Sequence, residues 1–181
     1  MVTSKIAVLR CRICHESYIG IDAPSRCPFC GAPRRYFVMA DKWDWEPYNI
    51  EIGEISKSNL ERALKLELNN TSFYRCAMNE AQKAGDEYGY AKFKALMRVE
   101  NEHAEVICKA LRISEPELDV VLCSTDYFEN TSKGWEREDR AIKAYAKFAE
   151  EAPELMLKEF FNVLVEIEKD HLELHAQHMT K

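Results

Sequence analysis

The sequence predicts a mainly α chain, a four-helix bundle preceded by a small metal-binding module built on cysteines. Three observations carry this. Four of the seven cysteines lie within the first 30 of 181 residues, as two Cys-x-x-Cys pairs. Beyond residue 50 the composition shifts to Ala, Glu, Lys and Leu with few breakers, and apolar residues recur at helical spacing. Within the apolar faces so defined sit a few glutamates and histidines that a solvated helix would turn outward.

Composition sets the bounds. With 46% hydrophobic residues the chain supports a core, and its net charge of −6 argues against a dedicated nucleic-acid binder, which needs a basic stripe to meet phosphates. No apolar run approaches the roughly 18 residues of a membrane span, and the first ten residues are too short and polar for a secretory signal. Seven is an odd cysteine count and the chain is long for a disulfide scaffold, so a reduced, cytoplasmic protein is expected.

The cysteine module comes first. Cys11-x-x-Cys14 and Cys27-x-x-Cys30 are separated by a 12-residue loop, a spacing that lets two turns face each other and set four thiolates around one ion. Pro28 and Gly31 supply the second turn's chemistry. Iron and zinc both accept four sulfurs, and the ligands alone do not choose between them. Tyr18, Tyr36 and Phe37 offer a small aromatic core. Cys76, Cys108 and Cys123 are isolated and are expected to pack as small hydrophobes.

Residues 41–50, with Pro47, show no helical or strand period and read as a linker, dividing the chain into a module at 1–45 and a bundle at 46–181. The first helix is expected from Ser58, where Ser58-Asn-Leu-Glu61 has the form of a capping box, to about Ala84, with Gly85 ending it. The second covers 87–111. A connection of about fifteen residues with Pro116 follows, then a third helix over 128–151 and a fourth whose first turn takes Pro153. One long middle connection among four helices is the crossover of a ferritin-like bundle.

The inward polar set is Glu67 on the first helix, Glu100 and His103 on the second, Glu138 on the third, and Glu168 and His171 on the fourth. Buried carboxylates are costly and repel one another, so cations would have to compensate them. Two helices giving one Glu each and two giving Glu-x-x-His make the pattern of a dinuclear carboxylate site. Glu136 and Asp139 lie toward the edge of the third helix's face or outside it. His175 and His178 are expected to line the bundle end.

A repeat supports Glu138: Asn59, Glu67, Tyr74 and Ala81 recur as Asn130, Glu138, Tyr145 and Ala152 at an offset of 71, and the Glu-x-x-His pairs recur at 68. Tyr74 and Tyr145 read equally as core aromatics or as hydroxyls that reach the metal site.

At these residues the sequence resembles the rubrerythrins. Asn59 through Glu67 to Tyr74 and then Glu100-Asn-Glu-His103-Ala104-Glu105 are similar to that family's first helical hairpin. Cys11 to Cys14, Ala23-Pro24, and Cys27-Pro28 to Cys30-Gly31-Ala32-Pro33 resemble its rubredoxin-like module, here N-terminal as in the reverse type. Two positions depart: His15 stands where the module usually has Gly, and Ala141 stands where the third helix usually carries a second ligand Glu.

The resemblance implies a di-iron site in the bundle, a single iron (or zinc) at the four cysteines, and reduction of hydrogen peroxide. It implies an electron donor such as rubredoxin or an NAD(P)H-dependent flavin oxidoreductase, and a head-to-tail homodimer. The competing expectations are a non-enzymatic iron-binding bundle with a structural zinc ribbon, and an oxidase that reduces dioxygen.

Overall fold

The computed structural model describes residues 5–43 and 50–179. The module is a three-stranded antiparallel sheet, β1 (Ala7–Cys11), β2 (Ser17–Gly20) and β3 (Phe37–Met39), in the order β2-β1-β3. Short 3-10 turns at Arg34–Tyr36 and Ala40–Lys42 flank β3. The second turn lies where an irregular linker is expected, and the rest of that linker, including Pro47, falls at 44–49, outside the described residues.

The two cysteine turns are built alike. His15 N–H donates to Cys11 O and Gly31 N–H to Cys27 O, both at 2.9 Å. Each closing residue is left-handed, His15 at φ 71° and Gly31 at φ 75°. A side chain there costs about 1–2 kcal/mol, which is why glycine suits the position. At His15 the Arg10 guanidinium holds the carbonyl (3.2 Å), and the imidazole meets Trp43 edge-on with centroids 5.6 Å apart.

The bundle comprises α1 (Glu54–Ala84), α2 (Glu87–Leu111), α3 (Tyr127–Glu151) and α4 (Leu155–Ala176). Asp86 and Asp126 cap α2 and α3 through the amides of Gly89 and Glu129, each at 2.9 Å. Gly85, at φ 71°, ends α1. Two expected boundaries are corrected. Helix α1 begins at Glu54 because the Glu154 carboxylate accepts from Gly53 N (2.8 Å) and from the Ser56 hydroxyl, a cap supplied from across the bundle in place of one at Ser58. Pro153 lies outside α4, which starts at Leu155 after Glu154 as its cap residue.

The cysteine reading is corrected more sharply. Cys76 on α1 and Cys123 in the α2–α3 crossover form a disulfide, with Cα atoms 5.9 Å apart. The crossover is also held by the Ser72 hydroxyl, which donates to Asp119 O, and by Asn130, whose amide exchanges hydrogen bonds with the Ser124 backbone (2.7 and 2.8 Å). Only Cys108 keeps the expected role of a buried free thiol outside the module. The disulfide removes the all-thiol premise behind the cytoplasmic expectation. Among the described residues, no helix is long and apolar enough to cross a membrane.

The module packs on its own bundle. Cys11, Ile13, Cys14, Cys27, Cys30 and Ala32 share one apolar cluster with Ala104, Ile107 and Ile167. A Cβ at Gly31 would lie 3.0 Å from Ile167 Cγ2, so the second turn sits almost against α4. Outside the contact, Glu166 takes Arg26 (3.2 Å) and Arg35 (2.5 Å), and Asp170 takes Arg26 (2.6 Å). Half-exposed pairs contribute at most about 1 kcal/mol each, so they orient the module more than they hold it.

The disulfide closes a loop of 47 residues. Loops of this size are worth about 2–4 kcal/mol, and at roughly 2–4 °C per kcal/mol in a chain this long the Cys76→Ser, Cys123→Ser variant is expected to melt about 10 °C lower by calorimetry.

Candidate metal centres

The four module sulfurs are fully or nearly fully buried. Cys11 Sγ lies 3.8 Å from Cys30 Sγ, and Cys14 Sγ lies 3.8 Å from Cys27 Sγ. A tetrahedron with metal–sulfur bonds of about 2.3 Å has edges of about 3.8 Å, so the cage already has the dimensions of one Fe(Cys)4 or Zn(Cys)4 centre.

The bundle site is a polar layer between two apolar clusters, one around Leu60, Ile107, Tyr145 and Phe160, the other around Phe73, Tyr74, Phe93 and Leu96. Glu67, Glu100, Glu138 and Glu168 are all fully buried within it. Their helices place them there because each occupies an apolar-face position, one turn from an aromatic or aliphatic neighbour that fixes the helix's rotation. His103 Nδ1 lies 3.6 Å from Glu67, 3.9 Å from Glu100 and 3.5 Å from Glu168. His171 Nδ1 lies 2.8 Å from Glu168 and 3.2 Å from Glu100.

Two groups of four ligand atoms, each within 4.8 Å of one another, result: Glu67, Glu100, His103 and Glu168, and Glu100, Glu138, Glu168 and His171. They share Glu100 and Glu168. That is the donor set of two metals bridged by two carboxylates, each with one further Glu and one His. Glu67 Oε2, both Glu100 oxygens, Glu138 Oε2, Glu168 Oε1 and His103 Nδ1 are buried without a hydrogen-bond partner. Polar atoms so placed are destabilising unless a cation meets them, and the residues present therefore fit a pair of metal ions.

The outer contacts orient the ligands. His103 Nε2 donates to the Cys30 carbonyl at 2.9 Å, which fixes the tautomer and leaves Nδ1 for metal. Tyr145 donates to Glu67, and Tyr74 donates to Glu138. The two readings of these tyrosines thus merge: both are core aromatics, and both hydroxyls bind a ligand carboxylate.

Burial pushes the Glu138 carboxyl up to about 7. Burial and the neighbouring carboxylates hold Glu100 and Glu168 well above the usual range. Burial opposes ionisation of Glu67 as well, but the adjacent His103 together with hydrogen bonds involving Glu100 and Tyr145 brings Glu67 below the usual range. Burial lowers His171 to about 3.

Glu136 is exposed and Asp139 pairs with Lys143 (2.5 Å), so neither joins the site. Ala141, buried, adds no ligand. The two distal histidines separate. His178 meets Tyr88 (2.9 Å) at the bundle end as expected. His175 is instead fully buried beside the site, 2.9 Å from Tyr74 Oη and 3.9 Å from Glu138 Oε1. The signal for it was in the sequence: Gly134, inside a helix, has no conformational reason to be glycine.

The metal-free site has a pH signature. Above about pH 6.5 His171, held low, is neutral folded and unfolded alike. Glu100, Glu138 and Glu168, held high, keep protons in the folded chain that the unfolded chain has released. The contribution of these three carboxyls to stability is therefore full only below the ordinary carboxylate range and is lost as pH rises through about 7. With zinc kept in the cysteine cage, the melting temperature of protein lacking the bundle metals is expected to fall between about pH 6.5 and 7.5, and loading the bundle should remove that slope.

Comparison with known proteins bears on the same residues. A family model described as Rubrerythrin matches residues 58–179, and one described as Rubrerythrin, rubredoxin-like domain matches residues 10–38. Neither the curated proteins nor the solved structures gave a match. The first match spans all six candidate ligands of the bundle and the second spans all four cysteines. The chain belongs to the rubrerythrin family, with its rubredoxin-like module at the N-terminal side of the bundle.

Proposed function

We propose that the chain is a non-haem di-iron peroxidase that reduces hydrogen peroxide to water, with electrons relayed through an Fe(Cys)4 centre, in defence against oxidative stress. The observation that carries this reading is the hydrogen bond from His103 Nε2 to the Cys30 carbonyl, 2.9 Å. One of its partners is a ligand of the cysteine cage and the other a ligand of the dinuclear site. The two centres are thus joined by one residue's backbone, one hydrogen bond and one imidazole.

When bound, the two bundle irons supply the electron pair that peroxide takes up with two protons to give two waters, and the cysteine-bound iron replaces electrons one at a time. The chain's own residues do the rest. Glu100 and Glu168 hold the two positions at a fixed spacing. Tyr74 and Tyr145 keep a hydroxyl proton at Glu138 and at Glu67. The apolar clusters on either side keep bulk water from the layer. Electrons come from an external carrier such as rubredoxin or from an NAD(P)H-dependent flavin oxidoreductase. This path is complete within one chain, so a homodimer is not required for it.

Protein purified without air, loaded with iron and reduced, tests the reading. Adding peroxide should consume it and restore the red absorption of the ferric cysteine centre. A colourless module would support a zinc ribbon on a non-enzymatic bundle, and faster turnover with dioxygen an oxidase.

The docking charges give a second measurement. Glu166→Arg should slow refilling of the bundle by the cysteine centre several-fold, while the first reaction of fully reduced protein with peroxide stays unchanged in stopped flow. Adding Arg35→Glu should recover part of the loss.

A further inference from the structure

The two halves of the bundle repeat one another, and the repeat fails on one side of the dinuclear site. At offsets of 71 and 68 the ligands correspond: Glu67 with Glu138, Glu100 with Glu168, His103 with His171. Around Tyr145, on the Glu67 side, Leu60, Ala63, Ile107 and Phe160 are buried and apolar. Their counterparts around Tyr74 are Thr131, Gly134, His175 and Lys92. These are buried too.

The polar set is built, not incidental. A Cβ at position 134 would lie 2.3 Å from His175 Cε1 and 2.6 Å from Nε2, so the glycine is the space the ring occupies. A glycine inside a helix costs up to about 1 kcal/mol relative to alanine, and alanine is what the other half carries at position 63.

The hydrogen bonds then have one consistent direction. A carboxylate bound to metal only accepts, so Tyr74 donates to Glu138. His175 Nε2, 2.9 Å from the same phenol oxygen, must carry its hydrogen and donate to it. A hydroxyl that accepts such a bond becomes a stronger donor. Ile107, at the matching position, has no hydrogen to give to Tyr145.

We propose that the two metal positions are inequivalent although their ligand sets match. The one held by Glu138 and His171 is the weaker, exchangeable position, and His175, seated by Gly134, is the positioning residue that makes it so. Through Tyr74 it draws charge from the Glu138 carboxylate and fixes a hydroxyl proton beside that position. An incoming ligand meets an exchangeable position and a placed proton donor on the same side. The inference rests on the dinuclear reading of the site but not on peroxide as substrate.

The test is a titration of the whole chain with Co(II), the cysteine cage filled beforehand with zinc. Wild type is expected to take up two cobalt ions in two steps at least tenfold apart in affinity. His175→Ile with Gly134→Ala, which copies the other half, should narrow that gap at least fivefold. His175→Gln, whose amide can still donate to Tyr74, should keep it. Two equal affinities in wild type, or a gap unchanged in the symmetrised variant, overturn the inequivalence alone. No cobalt uptake by the zinc-filled protein overturns the dinuclear reading itself.

Discussion

Four carboxylates in one dry layer of a helical bundle cannot all be ionised unless positive charge lies among them. Most of the chain's architecture follows from that. Each apolar cluster stops at the layer. His103 and His171 turn Nδ1 toward the carboxylates. Each tyrosine that borders it donates inward to a glutamate on another helix. Such bonds cross between helical hairpins, Tyr74 on α1 to Glu138 on α3 and Tyr145 on α3 to Glu67 on α1, so the layer that would otherwise push the halves apart also ties them. Metal completes the arrangement, in keeping with the family's iron sites.

The placement of the module extends the same logic to a second centre. A rubredoxin-like cage could sit anywhere on a flexible tether. Here its second turn lies close against α4 at a glycine whose Cβ would crowd Ile167, and its Cys30 carbonyl takes the one imidazole hydrogen that metal binding leaves over. Orienting His103 and connecting the two centres are therefore a single contact. The arginines at the rim, Arg26 and Arg35, set the module's rotation on α4 while the buried apolar contact supplies most of the adhesion.

What was legible in the sequence was what depends on spacing within one element. Cys-x-x-Cys turns, Glu-x-x-His pairs and single glutamates in apolar faces all follow local geometry, and every residue so read lies in one of the two clusters. What was not legible depends on contacts between distant segments. Cys76 and Cys123 are 47 residues apart, and neither has a neighbour that marks it as half of a disulfide. The start of α1 is set by Glu154, about a hundred residues away, so the local capping-box signal at Ser58 was outcompeted. His175 was assigned to the bundle end because it lies a turn beyond a complete ligand pair. Only the glycine facing it on another helix shows that the fold makes room for it. His15 is a milder case: the departure from glycine was visible, but the left-handed backbone it must adopt was not.

One disulfide beside four ligand thiols and a free buried one has a consequence for how the chain matures. Seven thiols offer many wrong pairings, and the cage cysteines, 3.8 Å apart across the site, are the nearest competitors for oxidation. Metal already seated in the cage acts as a protecting group, because a coordinated thiolate is not available for exchange. Maturation therefore has an order, ion first and oxidant second. A chain exposed to oxidant before it meets metal can become trapped with its cysteine cage sealed as sulfur–sulfur bonds.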